Sequence, residues 1–368
     1  MGNWRNGELG NFITLKRGFD LPQQKREDGQ VPIFSSSGIT GTHSTAMVNA
    51  PGVITGRYGT IGEVFYAAED FWPLNTTLFV EDFHGNDAKF IYYFLKTLEW
   101  SKFTSASAVP GINRNTVHKE TVSLPDIETQ RRIASTLSML DEKIKTNTEI
   151  NDNLYEMVNA YYTSLFKDVE CEMTTIGNYA ERIYSGGTPT TSNAAYWDGA
   201  FGWFSSGETR NRFVISTEKT ITQAGIDNSS TKLAAKHDIV MASAGQGFTR
   251  GQTSMLLIDT YVNQSVIVIH AERNVLPYLF WNLANRYEEL RAISDSSSIR
   301  GSLTTKMIAT FEIPLANEES LQAFADFSWS VIPQIENNLL ENERLAALRD
   351  NLLPKLMSGE IDVSNIQL

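Results

Sequence analysis

The polar side chains with the most usable chemistry lie in Gly- and Ser-rich loops at matching points of two halves of the sequence. Arg and Lys can donate to guanine, Asn and Gln can pair with adenine, and Ser and Thr can contact a base or a phosphate. Singly, each is more often an ordinary solvated loop residue, but as a set at matching points they favour contact with DNA. The candidates are Ser35, Ser36, Ser37, Arg57, Tyr58, Asn113 and Arg114 in the first half, and Ser205, Ser206, Arg210, Arg212, Gln246, Thr249, Arg250, Arg300, Thr304, Thr305 and Lys306 in the second.

Glycine and aromatic residues in the same loops allow more than one interpretation. Gly56, Gly59 and Gly62 could be taken for a nucleotide-binding loop, but they lack a dinucleotide fingerprint, so tight turns between strands are expected. Tyr58 and Phe248 could pack against a sugar or a base, or could anchor a turn from within. The sequence does not divide the candidates into base and phosphate contacts.

No catalytic or metal-binding motif accompanies these loops. The sequence contains neither a Gly-rich phosphate loop ending in Lys-Ser or Lys-Thr nor a Pro-Pro pair, which argues against ATP hydrolysis and amino-methyl transfer. The five His residues and Cys171 show no metal-ligand spacing. Asp238, near Lys236, is better explained by turn formation than by nuclease chemistry. We therefore expect a non-catalytic chain that binds no metal and no cofactor itself.

The strongest periodicity in the sequence predicts one long helix over residues 126–166. Seam positions recur at alternating spacings of four and three, with no Gly or Pro in the segment. This heptad is typical of a coiled-coil helix, here ~60 Å long. Its seam positions include Ile133, Leu137, Leu140, Ile144, Asn147, Asn151 and Leu154.

A second heptad follows near the C-terminus, 191 positions after the first. Asn338 and Asn342 stand at this offset from Asn147 and Asn151. Antiparallel pairing of the two helices about a pseudo-twofold axis would bring the asparagines together, and a polar pair on a seam fixes register at some cost in stability. The other seam positions assigned to the second helix are Leu345, Leu352 and Leu356.

Several residues of the two helices depart from a simple coiled coil. Pro333 and Pro354 should kink or end the second helix, and Arg349 falls on its seam. Large side chains off the seam of the first helix predict an exposed outer face that favours partner binding; they are Tyr155, Met157 and Tyr162.

The segments that precede the helices repeat one another. Leu9-Gly-Asn-Phe is echoed by Ile176-Gly-Asn-Tyr, and Leu74-Asn-Thr-Thr by Val262-Asn-Gln-Ser. Short β-rich runs with turns and a short amphipathic helix predict a mixed α/β (α+β) fold in each copy. The predicted organisation is two duplicated domains joined by two long helices that form an antiparallel coiled coil, with domain 1 over 1–125, helix over 126–168, domain 2 over 169–314 and helix over 315–368.

Composition and charge set further bounds. The chain has 368 residues and a net charge of −12. Residues 126–170 carry nine acidic and five basic side chains and residues 315–368 carry nine and three, so the acidity lies on the helices and the domains are near neutral. A single Cys fits a reducing compartment, and no apolar run suggests a signal peptide or a membrane span. We therefore expect a cytoplasmic protein.

The start of the first helix resembles a known family. Leu124-Pro-Asp-Ile-Glu-Thr-Gln-Arg-Arg-Ile-Ala-Ser-Thr-Leu137 is similar to the central conserved helix of DNA specificity subunits of type I restriction-modification systems. Gly56-Arg-Tyr-Gly-Thr-Ile-Gly62 resembles an element of their target-recognition domains. The resemblance covers essentially the whole chain, and the two-copy layout is its most specific part. The entry to the second helix matches more loosely.

The resemblance implies a function and a set of partners. Each target-recognition domain would read one half of a split sequence in double-stranded DNA, and the helices would set the gap. Two methyltransferase subunits that bind S-adenosylmethionine, and two restriction or translocase subunits that use ATP and Mg²⁺, would assemble on this chain. Two alternatives remain at this point: a protein–protein scaffold, and a self-contained DNA-modifying enzyme fused to a recognition module.

Overall fold

The computed structural model describes residues 3–104, 110–166, 172–245, 248–296 and 301–363, except for the side chain of Ser296. The chain forms two folded units. The first comprises Met1–Ile144 and Arg344–Leu368, and the second comprises Lys145–Glu343. Each unit combines a mixed α/β body with parts of the two long helices.

The first unit is built on three sheets. Its strands and short helices are β1 (Arg5–Glu8), β2 (Thr14–Arg17), β3 (Val31–Ser35), β4 (Gly38–His43), β5 (Gly52–Gly56), β6 (Val64–Ala67), β7 (Trp72–Pro73), β8 (Thr77–Asp82), α1 (Ala88–Lys96), α2 (Arg114–His118) and β9 (Thr121–Leu124). The main sheet has the antiparallel order β2-β8-β5-β6, and all five residues of β5 are buried. A smaller sheet, β4-β3-β7, pairs β3 with β7 in parallel, and β1 pairs with β9.

The second unit follows the first long helix, α3 (Ile127–Phe166). Its elements are β10 (Met173–Thr175), α4 (Ile176–Tyr179), β11 (Ala180–Ser185), β12 (Trp197–Phe204), β13 (Phe213–Val214), β14 (Lys219–Ile221), α5 (Gln223–Asp227), β15 (Lys232–Ala234), β16 (Ile239–Ala242), β17 (Thr253–Leu256), β18 (Thr260–Val262), β19 (Val266–Ala271), α6 (Leu276–Ala284), α7 (Tyr287–Ser296), α8 (Thr305–Ala309) and β20 (Glu312–Pro314). The sheet orders are β11-β19-β16-β17-β13, β14-β12-β18-β15 and β10-β20. The second long helix, α9, spans Glu318–Met357.

The two units share one topology, so the predicted mixed α/β duplication is confirmed. β2-β8-β5-β6 corresponds to β11-β19-β16-β17, and the parallel pair β3–β7 corresponds to β12–β18. Both copies also share a close backbone approach. A Cβ atom on Gly18 would lie 2.2 Å from the Leu74 carbonyl oxygen, and one on Gly186 would lie 2.0 Å from the Val262 carbonyl oxygen. No side chain fits at either position, which explains why both copies have Gly there.

The start of α3 is tied to the first body through a buried glutamine. Gln130 accepts a hydrogen bond from the Asp87 N–H (2.9 Å) and donates to the Asn86 side chain (2.7 Å) and to the Pro125 carbonyl (2.9 Å). The residue 191 positions later is Leu321, which is buried without such a network. This difference is the structural counterpart of the looser sequence match at the start of α9.

The two long helices pair antiparallel, as predicted from the matched asparagines. In the second unit, Asn338 Nδ2 donates to Asn151 Oδ1 (2.8 Å), and Asn147 Nδ2 donates to Asn342 Oδ1 (2.9 Å). In the first unit, Arg349 Nη1 lies 2.7 Å from an Asp141 carboxylate oxygen. Polar contacts therefore occupy the seam where its apolar pattern is interrupted.

Pro333 and Pro354 were expected to kink or end the second helix, and neither of them ends it. α9 continues through both residues and stops at Met357, shortly before Gly359, whose φ of 75° suits a helix end. Val331, Ile332 and Ile335 surround the first proline in sequence, and all three are buried in the core of the second unit. Their packing outweighs the single backbone hydrogen bond that a proline removes.

The exposed outer face predicted for α3 was also largely wrong. Tyr155 and Tyr162 are buried, and Met157 is 45% exposed. The Tyr155 ring stacks on Trp281 of α6 at 5.7 Å, and the Tyr162 hydroxyl accepts from Asn282 at 2.8 Å. The second α/β body therefore covers this face of the helix.

No helix in the described part of the chain combines enough length with enough hydropathy to cross a bilayer.

The buried Asn151–Asn338 pair gives a stability prediction. Replacing Asn338 by Ala leaves the Asn151 amide without its partner and should lower the unfolding free energy by about 1–3 kcal/mol. The double variant Asn151→Leu/Asn338→Leu removes both polar groups and should recover most of that loss. Urea unfolding followed by circular dichroism measures both. Asn337→Ala, at the exposed neighbouring position, is the control, and an equal effect there would contradict the prediction.

Candidate nucleic-acid interface

In the first unit, two loops that are distant in sequence meet beside the main sheet. The loop after β5 contains Arg57 and Tyr58, and the segment before α2 contains Gly111 and Ile112. The Ile112 N–H donates to the Arg57 carbonyl (3.0 Å), and Arg57 Nε donates back to the Ile112 carbonyl (3.3 Å). This junction places Arg57, Tyr58, Asn113 and Arg114 side by side.

An open groove of about 440 Å³ lies at this junction. Of the described residues that line it, three are Arg and none is Asp or Glu; we call it the arginine groove. Its lining residues are Arg17, Arg57, Tyr58, Leu78, Gly111, Ile112, Asn113, Arg114 and Asn115. A concave surface with three guanidinium groups attracts and orients anions such as phosphates.

The arginines of the groove differ in the contacts that they make with other residues of the chain. The Arg57 guanidinium lies 4.5 Å from the centre of the Tyr58 ring, and Arg17 lies 3.6 Å from Asp20. Arg114 is exposed in the first turn of α2, and the Asn113 side chain caps that helix by accepting from the Asn115 N–H (3.0 Å). Neither Arg57 nor Arg114 forms an ion pair with another described residue, so both keep donors for a ligand.

The three predicted serines belong to the turn between β3 and β4. The Ser35 hydroxyl lies 3.0 Å from that of Ser37 and donates to the Gly38 carbonyl at 3.2 Å. Ser36 lies beside the loop after β5, since a Cβ atom on Gly59 would be 3.3 Å from its hydroxyl. Ser36 therefore lies next to the loop that carries Arg57 and Tyr58, whereas Ser35 stabilises the turn to which it belongs.

Tyr58 is half-buried and acts as a turn anchor. A Cβ atom on Gly111 would lie 2.2 Å from its ring, so the ring packs directly on the glycine backbone. Phe248, the other aromatic candidate, is 83% exposed, and its carbonyl accepts from the Tyr287 hydroxyl at 2.6 Å. The interpretation as a buried anchor therefore holds for Tyr58 and fails for Phe248.

The second unit repeats the junction with different side chains. The Leu303 N–H donates to the Ser243 carbonyl (2.8 Å), a link similar to that between Ile112 and Arg57, although the sheet register aligns Ser243 with Gly56. Thr304 caps α8 by accepting from the Met307 N–H (3.2 Å), as Asn113 caps α2. Thr305 is half-buried and Lys306 is exposed in the first turn of α8.

Arg250 is engaged inside the second unit. Its guanidinium donates to the Gly301 carbonyl (2.6 Å) and pairs with Asp295, and its side chain is 14% exposed. Thr249 is half-buried, and its carbonyl accepts from the Gln252 N–H (2.8 Å). These contacts fix the part of the loop that follows its exposed phenylalanine. Gln246 and Arg300 lie outside the described residues.

The remaining candidates of the second unit are separate from this junction. Ser205 and the buried Glu208 form a capping box at the start of a short 3₁₀ turn that contains Ser206. Arg210 pairs with Glu218. Arg212 lies 4.3 Å from the centre of the Tyr155 ring, so it faces α3.

A comparison with known proteins identifies the family to which this duplicated architecture belongs. The family model described as "Type I restriction modification DNA specificity domain" matches residues 1–156 and 169–343. The chain belongs to this family. It carries two recognition domains, and it is a DNA specificity subunit of a type I restriction-modification system.

Individual relatives agree with the family assignment. The chain is 21% identical over 347 residues to the type I restriction enzyme HindI specificity subunit of Haemophilus influenzae, covering 72% of this chain and 75% of that protein. It is 26% identical over 249 residues to the EcoR124I/EcoR124II specificity subunit of Escherichia coli, covering 65% and 61%. The crystal structure of a type I restriction-modification S subunit from M. genitalium shares the fold, with a TM-score of 0.65 and 18% identity over 97% of this chain and 96% of that one.

The geometry adds residues that the sequence pattern missed. Arg17 and Asn115 line the arginine groove of the first recognition domain, and Ser243, which the sheet register aligns with Gly56, supplies the junction carbonyl of the second. Arg17 could have been found from its place before Gly18, the glycine that both copies share. Within the described ranges, no three His, Cys, Asp or Glu side chains are grouped as a metal site requires.

His118, at the end of α2, gives a prediction about pH. Burial, followed by the charges of Arg114 and His84, lowers the pKa of His118. Its Nε2 accepts from the Leu15 N–H (2.9 Å), which requires the neutral ring. The stabilisation is therefore complete above the unfolded pKa of about 6.5 and is lost as the pH falls through the lower folded pKa.

Two measurements check this sign. Titration of His118 by NMR should give a pKa below about 6.5. The unfolding free energy of the wild type should also fall, relative to that of His118→Gln, as the pH is lowered from about 7.5 to 5. A His118 pKa at or above the ordinary value would contradict both expectations.

Proposed function

We propose that this specificity subunit reads a bipartite double-stranded DNA target, with one recognition domain on each half, and serves as the scaffold for modification and restriction subunits. The observation that carries the proposal is the arginine groove, together with the same backbone junction in the second domain. A shared frame with different side chains at the reading surface suits two readers of different sequences.

In the first domain, Arg57 and Arg114 supply the principal donors. A guanidinium can pair with the two major-groove acceptors of guanine, and either arginine could instead bind a phosphate. Asn113 and Asn115 offer side-chain amides beside them. In the second domain, Thr304, Thr305 and Lys306 hold the positions that match Asn113, Arg114 and Asn115, and Ser243 supplies the junction carbonyl; their shorter or single-point donors favour a different half-site.

The proposal assigns the chemistry to the partners. The protein contributes recognition and no catalytic group, while two methyltransferase subunits supply S-adenosylmethionine-dependent modification and two restriction subunits use ATP and Mg²⁺. The relatives named above are themselves called specificity subunits, which supports this division of labour. The number of two of each partner is what the resemblance to the family implies, and two duplicated domains offer two equivalent places for them.

Substitution in the arginine groove tests which half each domain reads. Arg114→Ala should relax or weaken one position in one half of the target by about 5- to 150-fold, because a good base contact contributes about 1–3 kcal/mol. The measurement is base-resolved methylation sequencing in cells that also express the modification subunit. Lys119→Ala, exposed just after α2 and outside the groove, is the matched control. Equal relaxation of both halves would refute modular reading.

Shortening both long helices tests the proposed control of the gap. Removing one heptad from α3 and the matching heptad from α9 shortens each helix by ~10 Å. Since base pairs are spaced ~3.4 Å apart, the unread gap should shrink by about three base pairs. The same sequencing reports the gap length directly. A modified motif with its original spacing would show that the helices do not set the gap.

A further inference from the structure

One contact in the first unit involves three separate segments of the chain. The Tyr93 hydroxyl of α1 donates to one carboxylate oxygen of Asp141 on α3 (2.5 Å), and Arg349 of α9 donates to the other (2.7 Å). Tyr93 is fully buried, and the side chains of Asp141 and Arg349 are 29% and 23% exposed. Burial, followed by the hydrogen bond to Asp141, raises the pKa of Tyr93, so the hydroxyl keeps its proton for this contact. We call these residues the polar triad.

The second unit has apolar residues at the equivalent positions. The residue 191 positions after the aspartate is Ile332, and the residue 191 positions before the arginine is Val158. In α6, Trp281 stands where α1 has the tyrosine, according to the repeat of Phe90-Ile-Tyr-Tyr as Tyr278-Leu-Phe-Trp. All three are buried in one apolar cluster, with exposures of 0 to 1%. The duplicated helix pair is therefore polar at this position in one unit and apolar in the other.

The asparagine pairs do not make this distinction. Asn338 and Asn342 are the 191-residue counterparts of Asn147 and Asn151, so the contacts between the asparagines are the same when the two helices are exchanged, although the additional bonds from Asn147 to Glu341 and from Asn342 to Thr148 are not. Two α3 helices from different copies of the chain could pair antiparallel and still match Asn147 with Asn151. The asparagines fix the register of a pair, but they do not determine which helix is the partner.

We propose that the polar triad selects the partner: it makes α3 pair with α9 and excludes α3–α3 and α9–α9 pairing between copies of the chain. In an α3–α3 pair, Asp141 would face Val158 of the other copy. In an α9–α9 pair, Arg349 would face Ile332. Each like pair would lose the ion pair between the helices, and Asp141 would keep only the Tyr93 hydroxyl and Arg349 only the neighbouring Asp350. A partly buried charge that loses its ionic partner on the facing helix disfavours the complex that contains it.

The consequence for recognition rests on the proposed function. Like pairing would build a particle with two identical recognition domains, which suits a symmetric target. Pairing of α3 with α9 keeps one domain of each kind in every specificity subunit, and so keeps the target asymmetric. The partner choice itself is a property of the helices and is tested without DNA.

The test begins with the full chain carrying a protease site between Phe166 and Glu172. The purified chain is cleaved, so that only the helix pair holds its two halves together. The cleaved protein is then incubated long enough for halves to exchange between particles. A parallel mixture of labelled and unlabelled cleaved wild type shows when that exchange is complete. Native mass spectrometry then counts mixed pairs and like pairs. The wild type should give mixed pairs, whereas free choice would give like pairs in about half of the particles.

Two sets of substitutions distinguish partner choice from loss of folding. Tyr93→Phe/Asp141→Ile/Arg349→Val makes the triad apolar, as in the second unit, and should raise the fraction of like pairs at least about tenfold. The charge exchange Asp141→Arg/Arg349→Asp keeps an ion pair. When this variant is mixed with wild type, matched pairs should outnumber pairs between a variant half and a wild-type half by about tenfold, which corresponds to about 1.4 kcal/mol.

The outcomes decide the proposal. A rise in like pairs for the apolar variant, with matched pairing in the charge-exchange mixture, supports it. Like pairs that stay at the wild-type level, or halves of the charge-exchange variant that re-pair at random, overturn it. The control replaces Asn147, Asn151, Asn338 and Asn342 together by Leu, because this change is the same in mixed and in like pairs and should leave the fraction of mixed pairs unchanged. Failure of the DNA proposal would alter none of these counts.

Discussion

The register of the α3–α9 pair is the constraint on which both units depend. Each helix contributes part of its length to each unit, so a slip along the seam would move buried residues at both places. Leu137 and Leu356 would leave the core of the first unit, and Val158 and Ile332 would leave that of the second. The asparagine contacts oppose such a slip because any other register buries their amides without partners.

The duplicated α/β bodies conserve backbone contacts and vary side chains. The link from Ile112 to Arg57 and the link from Leu303 to Ser243 have nearly the same length, yet the helix that follows begins with Arg114 in one unit and with Thr305 in the other. The backbone hydrogen bonds and close glycine approaches hold the frame, so the side chains at its edge can change without disturbing it. Such a frame allows two domains of common origin to recognise different sequences.

Periodic and repeated features could be predicted from the sequence, whereas features set by tertiary partners could not. The heptads, the antiparallel pairing and the duplication are local or repeated patterns, so they were readable. The continuation of α9 through Pro333 could not be predicted because it depends on the burial of the neighbouring residues. The burial of Tyr155 could not be predicted because a heptad does not reveal a third packing partner such as Trp281. Loop composition proposed Arg250 and Arg114 alike, but contacts with Asp295 and Gly301 engage the first and leave the second open.

The buried glutamine at the start of α3 bears on the construction of chimeric specificity subunits. Gln130 belongs to the helix by sequence, but two of its partners, Asn86 and Asp87, belong to the body of the first unit. In a chimera joined at the boundary between the loop and α3, Gln130 would remain with the original helix, and the α/β body from another protein would replace its partners Asn86 and Asp87. The fusion point for exchanging that body should therefore lie inside α3, after Gln130, so that the transferred domain brings the first turn of its own helix.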